Sequence, residues 1–288
     1  MFNDKKYLAS VSGGPDSMAL LYKYKEQTKV VCHVNYNLRN TAKRDELIVT
    51  KFCNQHKIPL CLLSVNSKVN CKNNFQAWAR NIRYDFMCKI AKRYNVAEIL
   101  IAHNLNDFLE TAIMQILNNK LSLFLGIKEQ NYYQDFIILR PFINIWKKDL
   151  QTYCDLKKIP YGIDESNFSL KYKRNEIRAK LAKWNDDELL YFVTSIKEYN
   201  EKNKNFYNKV FSFYQTWKIN KFVDDLIFKD IEFIFHVMFE MFNEYNLKFS
   251  MNKFKAILTL MQKNNPTKYL RLGNNKQAIV RKKTLIII

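Results

Sequence analysis

The loop Ser12-Gly13-Gly14-Pro15-Asp16-Ser17 carries the residue types of an anion site. Two of the chain's five glycines stand side by side in it. Lacking a Cβ, they let the main chain approach a phosphate and tolerate positive φ. A loop that leaves a buried strand and opens a helix presents backbone N–H groups and the positive end of the helix dipole. Asp16 and Ser17 can cap such a helix or reach a metal or phosphate. No Gly-Lys-Ser/Thr follows, so this is not the lysine-bearing phosphate loop. An ordinary strand–helix turn is the bland alternative, and the paired glycines weigh against it.

Other residues could work with that loop. Asp107 and Glu110 are three apart near a helix start and share one face. That placement suits Mg²⁺ on pyrophosphate oxygens or contact with an ammonium group, although acids at helix starts also simply complement the dipole. Arg80 and Arg83 suit developing phosphate charge; a solvated face is the default for such residues. His33 and His103, two of four histidines, fall at or just beyond strand ends. Lys171–Lys183 holds six cations with Tyr172 among them, which fits RNA phosphates or a solvated basic helix. The stripe Phe206, Tyr207, Phe211, Phe213, Tyr214 and Trp217 reads as helical core in preference to a base-stacking platform.

These residues are far apart in sequence, so a scaffold must gather them. Strands are expected over Lys5–Val11, Lys29–Val34, Leu60–Val65, Ala97–Ala102 and Phe136–Leu139, alternating with helices over Ser17–Gln27, Thr41–His56, Asn74–Tyr94, Asp107–Asn118 and Trp146–Lys158. Alternation of this kind implies right-handed crossovers and an α/β, doubly wound, mostly parallel sheet. Ligands bind beyond the carboxyl ends of such strands, which marks the segments after Val11, Val34 and Ala102. After about Lys183 long helical patterns take over, with a β-hairpin or meander over Thr267–Ile288. Expected domains are therefore 1–184 and a smaller, mainly helical 185–288 ending in a short β-hairpin.

The chain has 288 residues, 48% of them hydrophobic, which suits two ordinary domains with ample core. Its net charge of +20 and pI near 9.6 point to a polyanionic partner; an A/T-rich codon bias toward Lys, Asn, Ile, Phe and Tyr is the open alternative. Six scattered cysteines form no C-x-x-C, so buried thiols in a reducing cytosol are expected in place of a metal or disulfide framework. No secretory signal and no membrane span is expected, and the location read from this is cytoplasmic.

The motif S-G-G-x-D-S, complete at Ser12–Ser17, resembles the signature of the PP-loop, or N-type ATP pyrophosphatase, superfamily with its adenine nucleotide alpha hydrolase-like fold. Further segments resemble tRNA(Ile)-lysidine synthases: His33–Arg39 is similar to H-V-D-H-x-L-R, Ala79–Tyr84 to A-R-x-x-R-Y, and His103–Thr111 to H-H-x-D-D-Q-x-E-T. Arg140-Pro141-Phe142 and Ile163–Arg178 are similar to R-P-L and to D-x-S-N…Y-x-R-N-x-[IV]-R. The resemblance covers residues 5–180. It implies a cytoplasmic ligase that consumes ATP with Mg²⁺ and joins L-lysine to C2 of the wobble cytidine of a CAU-anticodon tRNA(Ile), changing the codon read from AUG to AUA. Homodimerisation is left open. By the same resemblance, Ser12, Gly13, Gly14, Pro15, Asp16, Ser17 and His33 would bind ATP, with Asp16 and Asp107 as metal ligands. Asp107, Arg80, Arg83, His103 and Glu110 would be catalytic, with His103 and Glu110 orienting substrates or receiving the lysine proton. Arg39, Lys173, Arg174, Asn175 and Arg178 would contact tRNA.

The chain departs from the pattern at Asn35, Asn104, Asn106 and Phe108, which thins the acidic site. The rival readings are a PP-loop tRNA thiolase, which would need cysteines near the site, and a non-catalytic RNA-binding relative.

Overall fold

The computed structural model describes residues 5–37, 41–65, 75–118, 122–163, 173–245, 247–263, 268–273 and 276–288, without the side chains of 76, 77 and 173. Two compact units emerge, Met1–Asn118 with Gly126–Leu189, and Asn119–Leu125 with Leu190–Ile288.

The first unit is a sheet of β1 (Tyr7–Ser10), β2 (Thr28–Asn35), β3 (Leu60–Ser64), β4 (Glu98–Ile101), β5 (Gln130–Tyr133) and β6 (Phe136–Leu139), ordered β3-β2-β1-β4-β6-β5. All pairings are parallel except β5 with β6. Consecutive strand residues point to opposite faces, and the core follows that rule. Leu8, Val30 and Ile99 join one buried cluster, and their neighbours Ala9, Val31 and Leu100 join another. Both faces are therefore apolar, which is why these strands read as continuous hydrophobic runs. Helices α1 (Pro15–Tyr24), α2 (Ala42–Gln55) and α5 (Lys147–Leu156) supply one cluster, and α3 (Phe75–Arg93) the other. The remaining helices are α4 (Leu105–Leu117) and α6 (Lys173–Leu181).

The order reverses between β1 and β4: one leads outward to β2 and β3, the other to β6 and β5. Loops leaving these two central strands diverge, and the gap between them is where ligands of such sheets settle. The loop after β1 and the segment after β4 both open there.

In the second unit α7 (Asp186–Asn220, from Leu190 on), α8 (Val223–Ile227), α9 (Ile231–Glu244) and α10 (Met251–Lys263) pack with β7 (Tyr269–Gly273), β8 (Lys276–Arg281) and β9 (Thr284–Ile287). The strands form an antiparallel meander in chain order. Tyr214 and Trp217 are 2% and 4% exposed within this core, with Phe206, Tyr207 and Phe213 packed against it, so the aromatic stripe is structural. Ser122–Leu125 belongs to this unit: Tyr199 donates to the Ser122 carbonyl at 2.9 Å, and Asn200 clasps both backbone groups of Leu125. No described helix is long and apolar enough to cross a membrane.

Candidate active site

The loop after β1 is held from inside by Ser17. Its Oγ accepts the N–H groups of Ser12 (3.1 Å) and Gly13 (3.2 Å) and donates to the Gly14 carbonyl (2.9 Å). Gly14 is the N-cap of α1 with no side-chain cap bond, and Pro15 follows at the position where a missing N–H costs nothing. The ladder begins with Met18 N–H donating to the Gly14 carbonyl at 3.0 Å, so the amides of Asp16 and Ser17 precede it. The two glycines differ. Gly13 has φ of +91°, and a Cβ there would lie 2.8 Å from Asp45 Cβ. Gly14 is extended, and its Cβ would meet nothing nearer than 3.8 Å. Gly13 lets the loop lie against α2; Gly14 keeps the approach to the cavity clear.

That cavity, about 210 Å³, is lined by Ser12, Gly14, Asp16 and Ser17 together with Tyr36, Arg83 and His103. Arg83 Nε is buried and unpartnered. His103 lies beyond β4, and Arg140 Nε donates to its Nδ1 at 2.9 Å. His33 is not among the lining residues. It is 3% exposed, and its Nδ1 donates to the Val11 carbonyl at 2.9 Å, tying β2 to the root of the loop. Arg80 lies outside the cavity too, with Nη2 donating to the Tyr84 hydroxyl at 3.0 Å and the guanidinium over that ring.

A second cavity, about 280 Å³, shares Asp16 with the first and adds Asn104, Asn106, Asp107, Glu110, Lys147, Arg178 and Trp184. Asn104 caps α4. Its Oδ1 accepts the Asp107 N–H at 3.1 Å, Asp107 Oδ2 accepts the Asn104 N–H at 3.2 Å, and Asn104 Nδ2 donates to Asp16 Oδ2 at 3.1 Å. The remaining oxygen, Asp16 Oδ1, is buried without a partner. Burial raises the Asp16 carboxyl to about 6, opposed by Lys147 and reinforced by Asp107. Asp107 is raised as well, by burial first, with Arg174 opposing. An orphaned oxygen beside a second desolvated carboxylate fits a hard cation shared with phosphate oxygens. Among the described residues no three His, Cys, Asp or Glu side chains form a metal-binding group on their own.

Each asparagine that departs from the motif has a structural task. Asn104 makes the cap. Asn106 Oδ1 accepts the Lys147 N–H at 3.0 Å, and Asn35 Nδ2 donates to Glu46 at 2.7 Å. Phe108 is 5% exposed, in the core under Gly126.

Of the residues expected to contact RNA, Arg174 and Arg178 pair with acids of the second cavity. Arg174 Nε donates to Glu110 Oε2 at 2.6 Å, Arg178 Nε to Oε1 at 2.5 Å, and Arg174 Nη2 to Asp107 at 3.2 Å. One turn of α6 thus brackets Glu110, which is 2% exposed. Asn175, next on that helix, is half-buried; Arg39 and the Lys173 side chain lie outside the described residues. Sequence reasoning assigned no role to Arg140, Lys147, Tyr36 or Trp184. The one local signal was Arg140 before a proline at a strand end.

Residues 2–184 match the model of the PP-loop domain family. The chain is 43% identical over 236 residues to the tRNA(Ile)-lysidine synthase of Ureaplasma parvum serovar 3, covering 81% of this chain and 71% of that protein. It is 37% identical to the tRNA(Ile)-lysidine synthase of Malacoplasma penetrans over 289 residues, 98% of each chain. Among solved structures, the U34-tRNA thiolase NcsA from Methanococcus maripaludis aligns with a TM-score of 0.56 and 17% identity, covering 69% of this chain and 73% of that one, a likeness of fold. With a family model over more than half its length and a full-length relative above a third identity, the chain belongs to the tRNA(Ile)-lysidine synthase family of PP-loop proteins.

Proposed function

We propose that the chain is an ATP-dependent carbon–nitrogen ligase of the cytoplasm that joins L-lysine to the wobble cytidine of a CAU-anticodon tRNA(Ile). The observation that carries this reading is that two cavities share Asp16, one lined by the loop after β1 and the other by Asp107 and Glu110. A nucleotide in the first and an amine in the second would meet at one carboxylate.

In the first half-reaction the cytosine C2 oxygen attacks the α-phosphorus of ATP. An O–P bond forms, the α–β bridge breaks, and pyrophosphate leaves. The loop amides and Arg83 would hold phosphate oxygens, where fixed donors in an enclosed site favour the developing charge. Asp16 and Asp107 would hold Mg²⁺, which neutralises charge on the departing pyrophosphate. In the second, the lysine ε-nitrogen bonds to C2, the C2–O bond breaks, and AMP leaves. Lysine must arrive deprotonated, against an ordinary pKa of about 10.4. Asp107 and Glu110 would attract the ammonium group, and the apolar walls of Leu181 and Trp184 would desolvate it and so favour loss of its proton.

Net charge supports an RNA partner. None of the described cysteines lines either cavity, so a thiolase reading gains no support. The test supplies ATP, Mg²⁺, unmodified tRNA(Ile) and labelled lysine. Label entering tRNA with matching AMP and pyrophosphate is expected; neither product forming in the complete mixture would leave a non-catalytic RNA-binding protein.

A further inference from the structure

Arg140 follows β6 where the chain turns at Pro141, and it is 2% exposed. Its guanidinium donates from Nε to His103 Nδ1 at 2.9 Å, and from Nη1 to the Lys128 carbonyl at 2.9 Å and Asn131 Oδ1 at 2.6 Å. Its backbone N–H donates to the Glu129 carbonyl at 2.8 Å. None of the ion pairs among the described residues includes it. A cation this deep is costly unless its donors are used, and here they fasten β5, the loop before it and one imidazole nitrogen.

A guanidinium has five donors and no acceptor. The bond to His103 therefore needs a lone pair on Nδ1, and the proton of the neutral ring falls on Nε2. His33 shows the reverse logic: a carbonyl can only accept, so its Nδ1 carries the proton. One histidine meets a pure donor and the other a pure acceptor, so the two rings are held in opposite tautomers. Charging His103 would put a proton against the Arg140 guanidinium. Burial holds its pKa well below the ordinary value, with Arg140 after β6, Arg83 and Arg80 on α3 and Arg174 on α6 pressing the same way. Neutral imidazoles kept as hydrogen-bond donors are a known catalytic device.

We propose that Arg140 is a positioning residue that fixes His103 as a neutral Nε2–H donor to a phosphate oxygen in the first cavity, not as a proton acceptor. This rests on the proposed function for the choice of phosphate as ligand, while the tautomer rests on the hydrogen bond alone. Of the two roles open to His103, orienting substrate and receiving the lysine proton, only the first is compatible with this arrangement. The amine proton then goes elsewhere.

The test has two independent readouts. Nitrogen-15 NMR of wild-type protein without substrates observes all four histidines, with His103 assigned from the signal lost in His103→Gln. A single Nε2–H tautomer that resists protonation well below pH 6.5 is expected; an Nδ1–H form or an ordinary titration overturns the proposal. Kinetically, Arg140→Met should lower kcat/KM for ATP about ten- to hundredfold, and in a His103→Gln background it should lower it no further. Losses that multiply would mean Arg140 acts by another route. Should Arg140→Met fail to fold, Arg140→Lys is carried through the same cycle, and the wild-type spectrum needs no variant. An inactive wild type would refute the ligase reading while leaving the tautomer to be read from the spectrum.

Discussion

At Asp16 stability and chemistry oppose each other, and Asp16→Asn measures by how much. Burial lifts its carboxyl from 3.8 to about 6. Because the folded pKa lies above the unfolded one, the folded chain keeps a proton that the unfolded chain has released between about pH 4 and 6. Stability therefore falls as pH rises through that window and stays lowered above it. At about 1.4 kcal/mol per pKa unit the penalty is about 3 kcal/mol, reduced to about 2 kcal/mol by the residue's exposed edge. Asparagine keeps the shape, can still accept from Asn104, and carries no charge. In thermal unfolding at pH 8 the variant is expected to melt about 4 to 8 °C above wild type, with the gap closing toward pH 4, while ATP cleavage drops by orders of magnitude. A variant less stable than wild type at pH 8 would refute the reasoning. So would an advantage that persists unchanged at low pH, because ionisation of Asp16 could not then be its source.

Gly13→Ala should destabilise the fold by about 1 to 3 kcal/mol through its left-handed φ and the closeness of Asp45, read by urea unfolding. Gly14→Val should fold normally yet lose ATP in a filter-binding assay, and unchanged affinity would remove the loop from the nucleotide site. Replacing Arg174 and Arg178 together by alanine strands Glu110, 2% exposed, and should cost about 3 to 5 kcal/mol; a loss below 1 kcal/mol would mean Glu110 is satisfied elsewhere. Asp107→Asn should spare tRNA binding but abolish ATP cleavage, and normal turnover would shift the metal to Asp16 and Glu110. Affinity for tRNA should fall steeply with salt, with a log–log slope of several, and a flat profile would assign the surplus charge to codon bias.

The central strands were legible because parallel strands under two helical layers must be apolar on both faces. β1, β2, β4 and β6 fall within a residue or two of their apolar runs, as does the edge strand β3, although no residue of it is buried. β5 was not: Gln130–Tyr133 is a polar edge strand, turned into β6 through Gln134 in the left-handed region. The chain uses lysine and asparagine where turns usually carry glycine. Lys57, Asn95 and Lys158 end α2, α3 and α5 with positive φ, each followed by a buried Ile58, Val96 or Ile159 that closes the cap. Lys282 and Lys283 make the β8–β9 turn the same way, so the hairpin or meander expected over Thr267–Ile288 is a three-stranded meander. In the site, the loop and the Asp107–Glu110 face were readable because local spacing fixes them. The partners of Glu110 and His103 were not, since they arrive from 64 to 68 and 37 residues away.

The clasp of Ser122–Leu125 onto Tyr199 and Asn200 bears on synthesis of the chain. Its two halves are separated by 75 to 77 residues, so at about 5 to 20 residues per second the earlier half waits roughly 4 to 15 s for its partners. The backbone amide and carbonyl of Leu125 spend that interval bonded only to water and the apolar face of Leu123 stays exposed, next in sequence to the segments of β1 to β4. Slow codons between residues 125 and 200 would lengthen that exposure, and crowded expression would punish it first as aggregation of nascent chains, before any defect showed in the finished enzyme.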